Sequence, residues 1–258
     1  MNDAPQTEPI RIESFASLEQ FDQCVALEEA VWGYDPADMI PRRMFLLASR
    51  IGGQVMGAFL GEKPTAVGFA MALPAFRNGH AYLHSHMVGV IPELRNRGIA
   101  RALKLAQRDD ALARGFDLME WTFDPTEIKN AYINIARLGA IVRRYQQNFY
   151  GPSSSPLQGG LPTDRVYAEW WLRSKRVERA LTGQPQIFDV AERVNVPSEI
   201  YAWKASLADR AAARDLQSRN AHALESAFAN GHAVLGYQRN DRGDGQFQLG
   251  RWNEHHVY

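Results

Sequence analysis

The stretch HSHMVGVIPELRNRGIARAL, residues 84–103, decides the fold of this chain. Alternating residues up to Val90 predict a β-strand, and the apolar spacing after Gly98 predicts a helix. Between them lies a basic loop in which Arg95 and Arg97 precede the glycine. The first amides of a helix have no partner inside it, and the helix dipole adds partial positive charge there. The glycine lets a ligand approach the backbone, so the stretch predicts an anion site that a diphosphate fits.

Other phosphate-binding loops fit the sequence less well. The chain has no Gly-x-x-x-x-Gly-Lys-Ser/Thr motif, and no Gly-x-Gly-x-x-Gly motif follows a predicted strand. The usual fingerprints of nucleoside triphosphate and dinucleotide sites are therefore missing. The basic motif is short, so most of the evidence for an anion site comes from the predicted strand before it and the predicted helix after it.

The composition is that of an ordinary globular chain, with 258 residues of which 45% are hydrophobic and 22% charged. The 29 basic and 29 acidic residues cancel, so any anion site must be local. A single cysteine, Cys24, excludes an intrachain disulfide. The polar residues 1–9 do not resemble a signal peptide, and no apolar run could span a bilayer. We expect a frayed start and a soluble, cytoplasmic protein.

Periodicity predicts two N-terminal helices followed by the order β-β-β-α-β-α-β-loop-β. The predicted helices are 16–32, 44–49, 99–115 and 128–140, and the predicted strands are 54–61, 65–74, 81–90, 116–125, 140–151 and 166–172. The Gly-, Pro- and Ser-rich loop 151–165 is long enough to be functional or mobile. Residues 198–230 are mainly helical in pattern, and a hairpin follows around an Asp-Gly pair. We expect one domain over residues 1–173 and a helical extension with a terminal β-hairpin over 174–258.

The run MVGVIPELRNRGIARAL resembles motif A of the GNAT acyltransferases, which is Arg/Gln-x-x-Gly-x-Gly/Ala after the fourth strand. The resemblance covers roughly residues 10–173. The run NAYINIARLGA…NFYG…GLPTDR is similar to a subgroup of predicted GNAT proteins without an established substrate. The resemblance implies an α/β (α+β) fold with a mixed central sheet flanked by helices. It also implies acetyl-CoA or another acyl-CoA as co-substrate, and direct transfer of the acyl group to an amine in a ternary complex.

The same resemblance assigns the residues that would hold the coenzyme. Its pyrophosphate would bind the amides of the loop and helix start, which are Arg95, Asn96, Arg97, Gly98, Ile99, Ala100 and Arg101. The backbone of Val88 and Val90 would pair with the pantetheine arm like an added strand. The amide of Gly89 or Val90 would stabilise the oxyanion of the tetrahedral intermediate.

His84 and His86 alternate along the predicted strand, which places them on the same face as Val88 and Val90. The side chain of histidine suits deprotonation of an amine near neutral pH. His84 stands where the histone-type GNAT enzymes place a glutamate base, so it is the first candidate base. The alternative for both histidines is a partly buried polar side chain satisfied by its neighbours. The His-x-His spacing also suits a metal pair, but no third ligand is placed by the sequence, so no metal is expected.

Glu120 is a second candidate base, because it lies between Met119 and Trp121 on the next predicted strand. Desolvation beside an indole could raise the pKa of a carboxylate. The alternative is a hydrogen-bonded strand residue without a catalytic role.

The thiolate leaving group needs a proton donor, and many GNAT proteins carry a tyrosine for this in a Tyr-x-x-Leu-Gly context. Here Ile135 stands at that position. Tyr132 lies one turn earlier and is the candidate acid. The alternatives are that Tyr132 only packs in its helix and that the proton comes from elsewhere, water included.

Trp32 and Tyr34 lie at the break between the first two predicted helices, where the family recognises its acceptor, and Asp164 and Arg165 follow the long loop. These four are the candidate acceptor-binding residues, with core packing as the alternative for the two aromatic side chains. The expected partner is a small-molecule or peptide amine, with no nucleic acid and no membrane, and the chain could form a homodimer. Two other functions stay open: a catalytically weak acyl-CoA-binding or regulatory module, and a metal hydrolase.

Overall fold

The computed structural model of the chain describes residues 8–155 and 158–253. The chain divides into two compact units, Met1–Phe116 and Asp117–Tyr258, called unit 1 and unit 2 below. Each unit builds a sheet with helices on it, so the basic architecture is α/β, as predicted.

Part of the sequence-based expectation falls outside the described residues. Most of the frayed start, residues 1–7, belongs there, and so does the terminal His255–His256 pair, for which the sequence predicts a disordered tail. Within the described parts of the chain, no helix is both long and apolar enough to cross a membrane.

Unit 1 contains an antiparallel sheet in the order β1-β2-β3-β4 with helices on both faces. Its elements are β1 Ile10–Ser14, α1 Leu18–Trp32, α2 Arg42–Arg50, β2 Gln54–Leu60, β3 Gly68–Arg77, β4 His80–Val90, a 3₁₀ turn Pro92–Leu94 and α3 Ile99–Ala113. Helices α1 and α2 pack on one face through Phe21 and Phe45, which contact Phe69 of β3. Helix α3 packs on the other face through Ile99 and Leu103. The strand that leads into the basic loop is thus held between two apolar layers.

Helix α1 begins and ends at signals that the sequence already carries. The Ser17 hydroxyl accepts the N–H of Gln20 at 3.3 Å, and the Gln20 side-chain oxygen accepts the N–H of Ser17 at 3.1 Å. This reciprocal pair is a capping box. The helix ends at Gly33, whose φ of 58° is in the left-handed region. Trp32 and Tyr34 therefore flank a fixed helix end.

Unit 2 contains an antiparallel sheet in the order β5-β7-β6-β9-β10-β8. Its elements are β5 Leu118–Phe123, α4 Ile128–Ala131, a π-helix Tyr132–Arg137, β6 Ile141–Gln146, β7 Arg165–Trp171, α5 Lys175–Leu181, β8 Glu192–Val196, α6 Ile200–Ala205, α7 Arg210–Ala229, β9 His232–Arg239 and β10 Gly245–Arg251. The predicted terminal hairpin is β9–β10.

The predicted extension shares the sheet of unit 2. Val142 of β6 pairs with Val234 of β9, so β9, β10 and β8 continue the sheet beyond β6. Arg176 of α5 donates to the carbonyl of Gly139 at 3.1 Å and also to the carbonyl of Leu235. Burial lowers the pKa of Arg176 to about 10. The domain boundary at residue 173 stays a prediction, and residues on both sides of it lie in one sheet.

Three local predictions differ from the structure. The five-residue strands β1 and β8 were not predicted, because each is short and completes its hydrogen bonds only with a distant strand. The expected helical stretch 198–230 is broken between α6 and α7. The sequence pattern also predicts Leu207 on the buried side, but this side chain lies in the break and is 79% exposed.

The helix expected over 128–140 begins as α4 and then widens into the π-helix. The N–H of Leu138 bonds the carbonyl of Ile133, five residues earlier, at 2.9 Å. The Trp170 indole donates to the Leu138 carbonyl at 2.7 Å. This indole therefore satisfies a carbonyl at the end of the helix from outside it. Short π-helices are rare and often accompany functional sites.

Candidate active site

The basic loop of unit 1 has the backbone of an anion site. Gly98 is the N-cap of α3 with φ of 83°, and no side chain caps this helix. The first helical hydrogen bond runs from the N–H of Ala102 to the Gly98 carbonyl at 2.9 Å, so the amides of residues 98–101 precede it. A Cβ added at Gly98 would meet no described atom within 4 Å. Open space therefore lies beside the glycine at the positive end of a helix.

The arginines of the loop have different surroundings. Arg95 donates from Nε to the Val90 carbonyl at 3.3 Å and from NH2 to the Val31 carbonyl at 3.1 Å. It therefore ties the loop to β4 and to the end of α1. Arg97 is exposed, and Arg101 is half-buried in the first turn of α3. Asn96 has φ of 64° and completes the turn between these side chains.

A register shift between β3 and β4 marks a β-bulge in the strand that carries the histidines. Met71 pairs with Met87 and Ala72 pairs with Ser85, which leaves His86 without a ladder partner. An extra residue of this kind reverses the alternation of side chains on its two sides.

The bulge places His84 on the face of the sheet that α1 and α2 cover. His84 pairs with Leu73, which packs in the cluster of those helices. Ser85 instead faces α3, where its hydroxyl bonds the Gln107 side chain at 3.0 Å, and Val88 packs on that same face. The expectation that His84 shares a face with Val88 is therefore wrong, because alternation alone cannot reveal an inserted residue.

His84 and His86 are near each other and both are half-buried, with ring centroids 6.2 Å apart. Burial lowers the pKa of His86 and so favours its neutral form. For His86 this agrees with the alternative of a partly buried structural side chain.

Trp32 lies against the strand at the residue proposed for the oxyanion. It stacks on Tyr34 with centroids 5.9 Å apart and meets Phe69 edge-on at 6.0 Å. A Cβ at Gly89 would lie 2.8 Å from the Trp32 ring, so only glycine allows this approach. Both aromatic side chains are half-buried, so packing accounts for part of their role.

Two buried charged side chains of unit 1 were not singled out by the sequence. Glu28 is fully buried in α1, and its Oε1 accepts the N–H of Ile40 at 3.1 Å. Its Oε2 has no hydrogen-bond partner among the described residues, and burial raises the pKa of Glu28 to about 7. Lys104 is buried in α3, donates to Ser85 at 2.8 Å, and has its pKa lowered by burial. Glu28 is followed by a second glutamate, and Lys104 lies between two leucines of a helix that also carries other charged residues, so the pattern did not mark either side chain as buried.

In unit 2, Glu120 is part of an ionic network on the sheet. It pairs directly with Glu169 of β7, and both side chains are 1% exposed. Arg144 forms an ion pair with Glu120, and Arg143 donates to Glu169 at 2.7 Å. These pairs fit the alternative of a hydrogen-bonded strand residue for Glu120.

Glu120 and Tyr132 are not brought to one face of the unit 2 sheet. The neighbour of Glu120 in β5, Trp121, points to the opposite face and meets Trp170 edge-on at 5.8 Å. The Trp170 indole bonds the end of the π-helix, so Tyr132 belongs to an element on that opposite face. The two candidates cannot act as a neighbouring base and acid.

Tyr132 is half-buried, and the guanidinium of Arg239 lies 5.8 Å from its ring centroid. Ile135, which stands at the family's tyrosine position, is fully buried in the core. The apolar side chain at that place is therefore part of the packed interior of unit 2.

Asp164 and Arg165 both make contacts with other residues of unit 2. Asp164 is buried, with one oxygen accepting the Tyr145 hydroxyl at 2.6 Å and the other the N–H of Asn148 at 2.9 Å. Burial and Asp164 raise the pKa of Tyr145. Arg165 donates to the Asp164 carbonyl at 2.8 Å, and its guanidinium lies 5.3 Å from the ring of Tyr150. Asp164 therefore holds the loop, and Arg165 is the more accessible of the two.

Across residues 8–155 and 158–253, no group of three His, Cys, Asp or Glu side chains could hold a metal ion. The His-x-His pair gains no third ligand in that part of the chain.

Comparison with known proteins supports the fold. Residues 21–133 match the model of the acetyltransferase (GNAT) family. A solved structure from Streptococcus mutans has 16% identity and a TM-score of 0.51, covering 63% of this chain and 99% of that one. A GNAT-family protein from Desulfovibrio desulfuricans has 13% identity and a TM-score of 0.50, covering 64% and 99%. At these identities the likeness shows the fold. No curated protein sequence matches the chain.

Proposed function

We propose that this chain is a GNAT acyltransferase, and that it moves an acetyl or other acyl group from acyl-CoA to an amine in a ternary complex. The match of residues 21–133 to the acetyltransferase (GNAT) family model supports this proposal, and the α/β fold expected from motif A is confirmed. Acetyl-CoA is the co-substrate of this family. The acceptor, the residues and the order of steps are our proposals.

The observation that carries the proposal is the open space beside Gly98 at the start of α3. The amides of residues 98–101 and the exposed Arg97 supply donors and positive charge for a diphosphate. Gly98 lies inside the stretch that matches the family model. These features support binding of the coenzyme here, with Val88 and Val90 offering strand backbone to the pantetheine arm.

In the proposed reaction the neutral amine attacks the thioester carbonyl and gives up one proton to His84. The amide of Gly89 or Val90 stabilises the negative oxygen that forms. The C–S bond then breaks, coenzyme A leaves as its thiolate, and that thiolate takes up a proton from Tyr132 or from water. We retain Tyr132 as the candidate acid and treat Glu120 as part of the ionic network rather than as the base.

The acceptor is proposed to meet Trp32 and Tyr34 of unit 1, and Arg165 stays a separate candidate contact in unit 2. The stacked rings of Trp32 and Tyr34 offer an apolar surface, and Arg165 offers a positive charge. Asp164 acts through the loop that it holds. This set suits a small-molecule or peptide amine.

The first experiment titrates the purified chain with acetyl-CoA by calorimetry. Release of coenzyme A is then followed with spermidine, L-lysine and an alanine-initiated peptide as acceptors. Binding with acceptor-dependent release supports the proposal. Absence of any heat with acetyl-CoA would refute it.

His84 is tested by changing it to alanine. Turnover should fall by about a hundredfold, because a positioned general base contributes roughly that much. In the wild type, turnover should fall toward acid pH as the imidazole protonates, and this dependence should disappear in the variant. Acetyl-CoA affinity should be unchanged. His80→Ala, at the exposed start of the same strand, is the control. An unchanged pH profile in the His84 variant would remove this histidine from the mechanism.

The burial of Ile135 favours a second candidate, an acyl-CoA-binding or regulatory module with weak catalysis. Such a module would bind acetyl-CoA and release no coenzyme A with any of the three acceptors. The same two measurements therefore separate the two functions.

A further inference from the structure

The junction after β5 contains a buried ion pair, and its cation comes from the C-terminal extension. Asp124 accepts the N–H of Thr126 at 2.8 Å and its hydroxyl at 2.7 Å. The other Asp124 oxygen accepts Lys204 Nζ of α6 at 3.1 Å, and Lys204 also donates to Glu127 at 2.8 Å. The side chain of Lys204 is 6% exposed. One ammonium from the extension thus joins the end of β5 to the start of α4.

Each charge of this ion pair stabilises the ionised form of the other. Burial would lower the pKa of Lys204, but Asp124 and Glu127 outweigh it and raise the pKa. Burial would raise the pKa of Asp124, but Lys204, Thr126 and Arg165 together lower it. Removing either partner would leave a buried charge without its counterion, which is costly.

The same part of the extension also holds the loop 158–165. Gly159 has φ of 61°, and a Cβ there would lie 2.7 Å from the Lys204 carbonyl. The Gln217 amide of α7 donates to the Pro162 carbonyl at 2.9 Å. A Cβ at Gly160 would lie 3.0 Å from the guanidinium of Arg210. Lys204, Arg210 and Gln217, called the clamp below, therefore contact two separate segments of unit 2.

Both of those segments carry residues of the proposed reaction. The junction 124–127 leads into α4 and the π-helix that begins at Tyr132, and the loop ends at Asp164 and Arg165. The strands β8, β9 and β10 of the extension contribute to the sheet, whereas the clamp contacts these two segments. The clamp is thus the part of the extension suited to affect acceptor use.

We propose that the clamp is a positioning device for the acceptor side of the enzyme, and that Lys204 and Gln217 are positioning residues. The inference rests on the proposed function. In this proposal the extension holds both the helix of Tyr132 and the loop of Arg165 in position. Small displacements of positioned groups cost about ten- to a hundredfold in rate, so the clamp should be visible in kinetics.

The test compares Lys204→Met and Gln217→Ala with Val194→Ala in the full-length chain. Val194 is buried in β8, which pairs with β10 at the edge of the unit 2 sheet, so its variant controls for lost stability. Hydrogen exchange by mass spectrometry is measured over 124–132 and 158–165. The clamp variants should exchange faster in these segments and not across β9 and β10. The control should show no such selectivity.

Steady-state kinetics are the second measurement. The acceptor is the one that the wild type uses among spermidine, L-lysine and the alanine-initiated peptide. The acceptor KM should rise about tenfold or more in Lys204→Met, while the acetyl-CoA Kd stays unchanged. The double variant Asp124→Asn with Lys204→Met removes both charges. It should regain stability relative to Lys204→Met without regaining the acceptor KM.

Uniform exchange in the clamp variants, or the same pattern in Val194→Ala, would overturn the inference. An acceptor KM equal to that of the wild type would also overturn it. Failure of the proposed function looks different, because the wild type itself would then not bind acetyl-CoA. The exchange measurement needs no turnover, so it judges the clamp in either case.

Discussion

Two loops with left-handed glycines differ in what lies beside them. Gly98 opens α3 with φ of 83°, and an added Cβ would find no described atom within 4 Å. Gly159 has φ of 61°, and its Cβ would lie 2.7 Å from the carbonyl of Lys204. The first loop was expected to bind an anion, and the second was expected to be functional or mobile because of its length. One has room for a ligand, and the other has its space filled by the chain itself.

The difference separates two uses of glycine. At Gly98 the missing Cβ leaves open space beside the amides that precede the first helical hydrogen bond, which is what an anion needs. At Gly159 it lets two backbone segments meet at van der Waals distance. A left-handed glycine in a sequence therefore indicates a close approach without telling whether a ligand or the chain makes it.

The largest effect is expected from Gly98→Glu. The new side chain and its negative charge would enter the proposed diphosphate space, so acetyl-CoA affinity should fall by at least about a hundredfold. Gly115→Glu is a matched control, because Gly115 has the same φ of 83° and an equally open surrounding at the other end of α3. Calorimetry with both variants separates backbone strain from the ligand effect. Equal affinity in the two variants would remove the coenzyme from this loop.

Gly159→Ala should affect stability and leave acetyl-CoA binding alone. A clash with backbone in a packed region costs about 1–3 kcal/mol, in addition to strain of about 1 kcal/mol from the left-handed backbone. Gly183→Ala bears the strain alone, since Gly183 has φ of 75° and no described atom would lie within 4 Å of its Cβ. Urea unfolding of both variants measures the difference. A Gly159 variant as stable as the Gly183 variant would show that the loop yields without cost.

The smallest effect concerns a second contrast, between two buried acids. Asp124 in unit 2 has Lys204 beside it and a lowered pKa, while Glu28 in unit 1 has a raised pKa of about 7. Glu28→Gln keeps an oxygen that can accept the N–H of Ile40 and removes the buried ionisation. At pH 8 the variant should be more stable than the wild type by about 1–3 kcal/mol.

The sign of this stability difference follows from the raised pKa of Glu28. Because the folded pKa of Glu28 lies above its ordinary value of 4.5, the folded state binds more protons than the unfolded state between those values. The stabilisation from this group is complete below about pH 4.5 and is lost as the pH rises through about 7. At pH 4 the wild type and Glu28→Gln should therefore be similar. Glu29→Gln, next to it and exposed, should change little at either pH.

Most of the order of elements followed from sequence patterns. The capping box at Ser17, Gly33 after α1, and the alternation in β2 to β4 are local signals, and the structure has elements at all of them. The strands β1 and β8 were missed because partners distant in sequence define them. The π-helix was missed because a carbonyl at its end is satisfied by the indole of Trp170, which no local pattern contains.

In the candidate site, too, local features were predicted from the sequence and features that depend on distant residues were missed. The basic loop was identified from its residues, and its backbone has the left-handed glycine that the motif required. The face of His84 was predicted wrongly, because the bulge at His86 is a property of pairing with β3. The ion pairs of Glu120 with Arg144 and of Asp124 with Lys204 join residues 24 and 80 positions apart, beyond the reach of spacing arguments.

The sequence by itself indicated the resemblance to the GNAT family, the α/β succession and the position of the candidate phosphate loop, because each rests on propensities and spacings within a few residues. Only the tertiary structure decided which buried charges are paired, which face each histidine takes, and which glycine has free space beside it. The reason is physical: desolvation, ion pairing and steric contact depend on atoms that folding brings together from distant parts of the chain.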